Sequence, residues 1–183
     1  MEEIKKVILG IDPGTVITGY GIISIKDKKP HVEAYGYLDL SKIADPYESL
    51  EKIFLKVTQL IDEYGVSELA IESQFFGKNV QSMLKLGRAQ GVAIAAAAVR
   101  KVRVFEYSPR KIKLAITGNG NASKEQVAVF LQKLIELKEI PDKLDASDGI
   151  AVALCHHYQS RVISGTGYTN WKEYIKKNPD KLV

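Results

Sequence analysis

Apolar residues near the start of the chain recur in the short runs that are typical of β-strands. Residues 6–11 form one such run, residues 19–25 a second and residues 31–40 a third. The connections between them are short, so the three segments are predicted to pair as an antiparallel meander.

The later segments alternate between helical patterns and short apolar strands. A helix is predicted over residues 46–64, because Asp45 can cap it, Pro46 suits its first position, Glu48 can complete a capping box and Gly65 can end it. Further helices are predicted at residues 80–99, 109–117, 123–137 and 144–159, and further strands at residues 69–72 and 102–107.

This order of elements predicts an α/β fold. Its five-stranded mixed sheet would consist of the antiparallel meander followed by parallel strands, with helices flanking both faces. Residues 1–159 are interpreted as one domain and residues 160–183 as a C-terminal extension of unknown role.

The composition supports a folded domain. The chain has 183 residues, of which 45% are hydrophobic and 26% charged, and this excludes disorder as its main state. A single cysteine, Cys155, excludes an internal disulfide. The longest small or apolar run, residues 91–99, is too short to span a membrane, and the charged start is unlike a signal peptide. We therefore expect a cytoplasmic protein.

Basic residues are concentrated in the middle of the chain. Lysine and arginine number 26 against 22 acids, a formal charge of +4. Between residues 73 and 114 the only acid is Glu106, and the basic residues there are Lys78, Lys85, Arg88, Arg100, Lys101, Arg103, Arg110, Lys111 and Lys113. Such an excess favours phosphate binding, although a solvated surface would give the same pattern.

Acidic residues stand at three places where burial makes a carboxylate costly. Asp12 follows the first strand, Glu72 follows the apolar run at residues 69–71, and Asp145 and Asp148 begin the last helix. Asp12 could simply form a turn, and the two helix acids could be caps. We interpret all four as one cluster, because strand ends and a packed helix can converge in such a fold.

Four carboxylates without histidine or cysteine ligands suit Mg²⁺, with Mn²⁺ as a plausible substitute. Two ions roughly 3.5 to 4 Å apart could activate a water for in-line attack on phosphorus and stabilise the leaving oxygen. The expected products are a 5′-phosphate and a 3′-hydroxyl.

Several motifs resemble those of the RuvC-type Holliday junction resolvases. They are ILGIDPGT at residues 8–15, TGYG at 18–21, AIE at 70–72, LKLG at 84–87 and DASD at 145–148, and the resemblance extends over about residues 6–157. It implies a ribonuclease H-like fold and a homodimer that makes paired, symmetric, metal-dependent nicks in four-way DNA junctions. It further implies a role in recombination and repair, with RuvA and RuvB as partners.

The resemblance also implies roles for individual residues. Asp12, Glu72, Asp145 and Asp148 correspond to the catalytic, metal-binding carboxylates of the family. Phe75 resembles the aromatic residue that stacks on junction bases, with Phe76 as the alternative. Contacts to DNA are expected from Lys78, Lys85, Arg88, Arg110, Lys111, Lys113 and Lys124, although Lys85 and Arg88 could equally be solvated helix residues.

Two further features leave alternatives open. The small residues Gly87, Gly91 and Ala95 recur every four positions, which fits either packing on the sheet or a subunit contact. The loop at residues 12–15 also resembles the phosphate loop of actin-like kinases and ATPases, although those proteins need two such domains. A related nuclease acting on RNA, or a non-catalytic binder of junctions or RNA, would share the same fold.

Overall fold

The structure of the protein, a computed structural model, describes residues 6–74, 79–135 and 144–165, and gives the backbone alone for residues 144–146 and 161–165. Within these ranges no helix is both long enough and apolar enough to cross a membrane. The strands are β1 (Lys6–Asp12), β2 (Ile17–Lys26), β3 (Lys29–Asp39), β4 (Glu68–Glu72) and β5 (Arg103–Tyr107). The helices are α1 (Pro46–Tyr64), α2 (Val80–Val99), α3 (Pro109–Thr117), α4 (Lys124–Leu134) and α5 (Leu144–Gly165).

The five strands form one mixed sheet in the order β3-β2-β1-β4-β5. The first three pair antiparallel, whereas β1 with β4 and β4 with β5 pair parallel. Parallel neighbours require crossover connections, and α1 and α2 supply them. The predicted five-stranded α/β sheet is therefore confirmed.

Alternation along the strands creates two separate cores. Val7, Leu9 and Ile11 of β1 pack with residues of α1 and α2 on one face of the sheet. Ile8 points to the other face, where it packs with residues of α3, α4 and α5. Because side chains alternate along a strand, Asp12 lies on the same side as Ile8, toward α5.

Glycine allows α5 to pack closely on the sheet. A Cβ atom on Gly10 would lie 2.1 Å from the carbonyl oxygen of Gly149, and one on Gly149 would lie 2.3 Å from the carbonyl carbon of Tyr20. No side chain can stand between backbones at such distances. The beginning of α5 is therefore held directly against β1 and β2.

Some predicted element ends differ from the structure. The last helix was predicted to end at residue 159 but continues to Gly165, since no proline or glycine interrupts residues 160–164. The fourth helix ends at Leu134 with Ile135 as its C-cap, three residues before its predicted end. Asp45 caps α1 as predicted, but through the amide of Tyr47, while Glu48 pairs with Lys52 at 3.1 Å.

The small residues of α2 face solvent in this chain. Gly87, Gly91 and Ala95 are exposed, and a Cβ atom on either glycine would meet nothing within 4 Å. Other small residues of the helix, including Ala89 and Ala93, are the ones buried in the core beneath it. Of the two interpretations of this stripe, packing on the sheet is therefore wrong.

Candidate active site

The ends of two neighbouring parallel strands meet the start of α5 at one cavity. Gly10 and Ile11 of β1 stand beside Ala70 and Ile71 of β4, so Asp12 and Glu72 come next at the same edge of the sheet. The cavity measures about 180 Å³ and is lined by Asp12, Glu72, Pro109, Ile112, Lys113, Lys124, Val127, Asp148 and Ala151. Three of the four predicted carboxylates thus share it.

The pKa of Glu72 is strongly shifted in this cavity. Burial, followed by the charges of Asp12 and Asp148, raises the pKa of Glu72 from 4.5 to about 8, and Lys124 and Lys113 offset only part of this rise. A carboxyl group that titrates near 8 keeps its proton at neutral pH until a cation compensates the local negative charge.

Lys124 forms an ion pair with Asp148. Its Nζ atom lies 2.6 Å from Oδ2 of Asp148, whose side chain is 14% exposed. The lysine occupies the first turn of α4, where Ser123 and Gln126 form a capping box. The cap places the first turn of α4 over the cavity, so the lysine neutralises an acid that would otherwise face two others.

The donor chemistry of the cavity fits a hard divalent cation. Carboxylate oxygens are the ligands that Mg²⁺ and Mn²⁺ prefer, and Mg²⁺ usually retains several waters, for which the cavity leaves space. Among the described side chains, no three acidic, histidine or cysteine groups are arranged so that they could already hold an ion. Asp145 lies in the backbone-only part of α5, so its predicted place in the cluster is outside the described side chains.

The predicted DNA-contact residues fall into separate places. Lys113 and Lys124 line the acidic cavity. Nζ of Lys111 stands 5.2 Å from the centroid of the Tyr107 ring, and the side chain of Arg110 packs beside Gly120. The other predicted contacts Phe75, Phe76 and Lys78 lie outside the described residues.

Lys85 and Arg88 line a different cavity. It measures about 310 Å³ and lies between the first two turns of α1 and the second and third turns of α2, with Thr15, Tyr47 and Leu50 also in its wall. The structure therefore does not bring these two basic residues together with Lys113 and Lys124.

Two of the basic residues between residues 73 and 114 form ion pairs within the chain. Arg100 donates to both carboxylate oxygens of Asp62, at 2.7 Å each. Arg103 donates to Glu68. The basic excess between residues 73 and 114 is thus smaller on the folded surface than in the sequence.

Glu68 is a buried acid that the sequence interpretation did not single out. Its Oε2 atom lies 2.6 Å from Nζ of Lys6 and 2.7 Å from Nε2 of His156, and its side chain is only 6% exposed. Alternation along β4 could have revealed it, because Glu68 and Glu72 are four residues apart and share a face with Ala70.

His156 joins Glu68 to Tyr107. The Tyr107 hydroxyl lies 2.7 Å from Nδ1 of His156, whose ring is 4.3 Å from the ring of Phe105 between centroids. The structure thus places His156 in a buried network and not in the lining of the acidic cavity.

The protonation states in the network follow from burial and partners. Burial lowers the pKa of His156 despite the Glu68 carboxylate, and it raises the pKa of Tyr107 to about 12. Burial alone would raise the pKa of Glu68, but hydrogen bonds from Lys6 and His156 hold it below its ordinary value. A neutral His156 therefore donates from Nε2 to Glu68 and accepts at Nδ1 from Tyr107.

Comparison with known sequences identifies a family that matches most of the chain. The profile of the family described as crossover junction endodeoxyribonuclease RuvC matches residues 8–156. A protein of that description from Christiangramia forsetii is 54% identical over 97% of this chain and 93% of its own length. One from Bacteroides fragilis is 51% identical over 97% of this chain and 96% of its own.

Solved structures agree with this result. The structure of T. thermophilus RuvC in complex with a Holliday junction substrate has a TM-score of 0.79 and 30% sequence identity, covering 86% of this chain and 96% of that one. The yeast mitochondrial Holliday junction resolvase Ydc2 has a TM-score of 0.66 at 14% identity, covering 93% of this chain and 83% of that one. At that identity the second likeness establishes the shared fold alone.

Proposed function

The chain belongs to the RuvC family of crossover junction endodeoxyribonucleases, and from this premise we propose that Asp12, Glu72, Asp145 and Asp148 hold the divalent ions with which it cuts DNA. The family membership makes the chain a metal-dependent nuclease that resolves Holliday junctions. The proposal adds which residues bind the ions, how many ions the cavity holds and what the lysines do.

One observation carries the assignment of the site. Asp12, Glu72 and Asp148 come from distant parts of the chain and line one cavity. Burying several carboxylates together is unfavourable unless a cation balances them. We assign two Mg²⁺ ions to the cavity, with Mn²⁺ as a substitute, and place Asp145 as a fourth ligand from the start of α5.

Each acid has a distinct part in this site. Asp12 and Glu72 are carried by neighbouring strands, so the sheet fixes their separation, whereas Asp148 is placed by α5. Glu72 holds a proton at its carboxyl group near neutral pH in the ion-free chain and releases it when ions bind. Bound ions would supply an activated water and stabilise the leaving 3′ oxygen.

The lysines of the cavity can exchange one negative partner for another. Lys124 pairs with Asp148 in the ion-free chain, and Lys113 lines the same wall. When ions neutralise the carboxylates, both ammonium groups are available for the phosphates beside the scissile bond. Lys111 and Arg110, from the same helix as Lys113, extend this contact along the strand.

A homodimer suits the substrate. A four-way junction presents two equivalent strands, and a two-fold enzyme presents two equivalent sites to them. The exposed stripe of Gly87, Gly91 and Ala95 on α2 supports a contact there, because small residues let two backbones approach. Paired symmetric nicks would follow from this arrangement.

Other parts of the proposal rest on the family resemblance. Phe75 is proposed to stack on unpaired junction bases, with Phe76 as the alternative, and Lys78, Lys85 and Arg88 to contact phosphates farther from the cut. We also propose RuvA and RuvB as partners and the cytoplasm as the location. Residues 160–183 stay a proposed extension, although α5 continues past residue 160.

Cleavage of a synthetic four-way junction tests the proposal. Each of the four arms is labelled in turn, and the junction is incubated with the full-length protein and Mg²⁺, Mn²⁺ or EDTA. We expect nicks on two opposing strands, with 5′-phosphate and 3′-hydroxyl ends, and none with EDTA. A linear duplex and an RNA–DNA hybrid serve as controls for the RNA-directed alternative.

Three results would contradict parts of the proposal. Cleavage in EDTA would remove the ions from the reaction, and equal cleavage of the hybrid would favour the RNA-directed alternative. Sedimentation of the protein with and without junction measures its oligomeric state, and a monomer on an intact junction would contradict the dimer.

A further inference from the structure

The Glu68–His156 contact joins β4 to α5 at a point well away from the acidic cavity. Neither residue lines that cavity. Both are nearly inaccessible to water, with 5% exposure for Glu68 and 2% for His156. Burying the Glu68 carboxylate and the His156 ring costs free energy, which their hydrogen bond and the Lys6 ammonium offset. We therefore expect this bond to have a role in the fold or in the site.

The spacing of the contact matches the spacing of the two acids in the cavity. From Glu68 to Glu72 the strand advances four residues, or about 13 Å at the usual rise of a strand. From Asp148 to His156 the helix advances eight residues, or about 12 Å at 1.5 Å per residue. Since α5 runs antiparallel to β4, Glu68 facing His156 brings Asp148 to Glu72.

Apolar packing alone does not determine this alignment. The residues of α5 between the two contacts are Gly149, Ile150, Ala151, Val152, Ala153, Leu154 and Cys155, all buried. Apolar contacts are non-directional, whereas a hydrogen bond depends steeply on distance and angle. The glycine contacts set how near α5 lies to β1 and β2, and the Glu68–His156 bond relates it to β4.

We propose that Glu68 and His156 are positioning residues, which align α5 on β4 so that Asp148 and Glu72 can share a divalent ion. This inference rests on the proposed function of the carboxylates. Tyr107 is a third positioning residue. Its hydroxyl donates to Nδ1 of His156, so that the ring carries its hydrogen on Nε2 and donates it to Glu68.

Four variants of the full-length protein test the inference. His156→Phe keeps a ring against Phe105 but removes both hydrogen bonds, while His156→Gln retains an amide that can donate to Glu68. Glu68→Met breaks the contact from the strand side and leaves Lys6 and Arg103, which are 32% and 72% exposed, free to turn to water. Cys155→Ala, on the same buried part of α5, is the matched control for lost packing.

The measured quantity is the Mn²⁺ affinity of the DNA-free protein, which is obtained from the electron paramagnetic resonance signal of the unbound ion. We expect His156→Phe and Glu68→Met each to weaken binding about tenfold or more, as substitutions behind metal ligands commonly do. Junction affinity should change by less than about twofold, because phosphate contacts dominate it. His156→Gln should recover most of the Mn²⁺ affinity, and Cys155→Ala should lower the unfolding midpoint without changing Mn²⁺ affinity.

The inference is overturned if a folded His156→Phe or Glu68→Met protein binds Mn²⁺ as the unsubstituted protein does. It is also overturned if Cys155→Ala weakens Mn²⁺ binding as strongly, since the effect would then be one of general stability. Should one of the two disrupting variants fail to fold, the other decides. Failure of the proposed function would give a different result. In that case Glu72→Gln, with Glu68 and His156 intact, would bind Mn²⁺ as tightly as the unsubstituted protein does.

Discussion

Gly149 lies so close to Gly10 that a Cβ atom on Gly10 would stand 2.1 Å from the Gly149 carbonyl oxygen. The contact places the preceding residue of the helix, Asp148, at the end of β1 where Asp12 also lies. A close backbone contact in the core thus brings two acids together that are far apart in the chain.

Substitution of Gly10 by alanine should destabilise the fold strongly. Overpacking a core usually costs about 1 to 3 kcal/mol, and we expect the upper end or more because backbone atoms cannot turn aside. Urea unfolding measures the loss. Gly120→Ala is the control, since its Cβ would meet Cγ of Arg110 at 2.7 Å but backbone only at 3.2 Å, at the carbonyl oxygen of Arg110. Equal effects of the two substitutions would contradict the assigned contact.

Removing a single carboxylate of the cavity should stop cleavage while sparing binding. For Asp12→Asn or Glu72→Gln we expect nicking to fall about a thousandfold, the consequence of losing several kcal/mol of ion-dependent stabilisation. Junction affinity should stay close to that of the unsubstituted protein, because contacts to phosphates supply it. Nicking and gel-shift assays on the same junction separate the two quantities.

A nearby acid outside the cavity provides the control for this series. Glu125 is exposed in the first turn of α4, so Glu125→Gln removes one negative charge without altering the cavity lining. It should cleave junctions at the normal rate. Substantial nicking by the Asp12→Asn, Glu72→Gln double variant would refute the catalytic assignment.

The contribution of Glu72 to the stability of the ion-free protein should fall as the pH rises from about 4.5 to about 8. Glu72 loses its proton near 4.5 in the unfolded chain but near 8 in the fold, so the folded state binds more protons across this window. The contribution of Glu72 to the free energy of unfolding therefore decreases with rising pH there, while the burial-lowered pKa of His156 acts in the opposite direction just below pH 6.5. Urea unfolding in EDTA at pH 5, 6.5 and 8 measures the slope, which Glu72→Gln should reduce. An unchanged slope in that variant would exclude Glu72 as the cause.

Lys124 should compete with divalent ions for Asp148. Lys124→Met removes the ammonium group at 2.6 Å from Asp148, so the ion-free cavity gains uncompensated negative charge. We expect Mg²⁺ to raise the melting temperature more in this variant than in the unsubstituted protein, although cleavage falls because a phosphate contact is lost. Differential scanning fluorimetry with and without Mg²⁺ measures the first effect.

Lys133 is the matched control for Lys124. It belongs to the last turn of the same helix and is not part of the cavity wall. Lys133→Met should leave both the Mg²⁺-induced shift and cleavage unchanged. If Lys124→Met showed the same shift as Lys133→Met, the lysine would not be occupying the position of an ion.

Most of the fold could be predicted because its signals are local. Period-two alternation, caps at Asp45 and Ser123 and the apolar run of β4 each depend on neighbouring residues. The ends of α4 and α5 were predicted less well, since they lack a glycine or proline at the predicted position and depend on what the helix packs against.

The acids of the site could be recognised for a related reason. Asp12 and Glu72 follow apolar strands, where a carboxylate is unfavourable without a compensating partner, and this made them conspicuous. Glu68 carries the same charge in the same strand but was overlooked, because its partners Lys6 and His156 are 62 and 88 residues away. Only their contact reveals its role.

The sequence by itself determined the elements, the α/β class, the family and the carboxylates proposed to hold ions, since all of these depend on neighbouring side chains and motifs. Tertiary structure alone decided which of them meet: Lys124 at Asp148, His156 at Glu68, and Lys85 in a cavity apart from Lys113. The reason is that burial and charge coupling belong to pairs of residues. Such pairs exist only after distant segments have packed together.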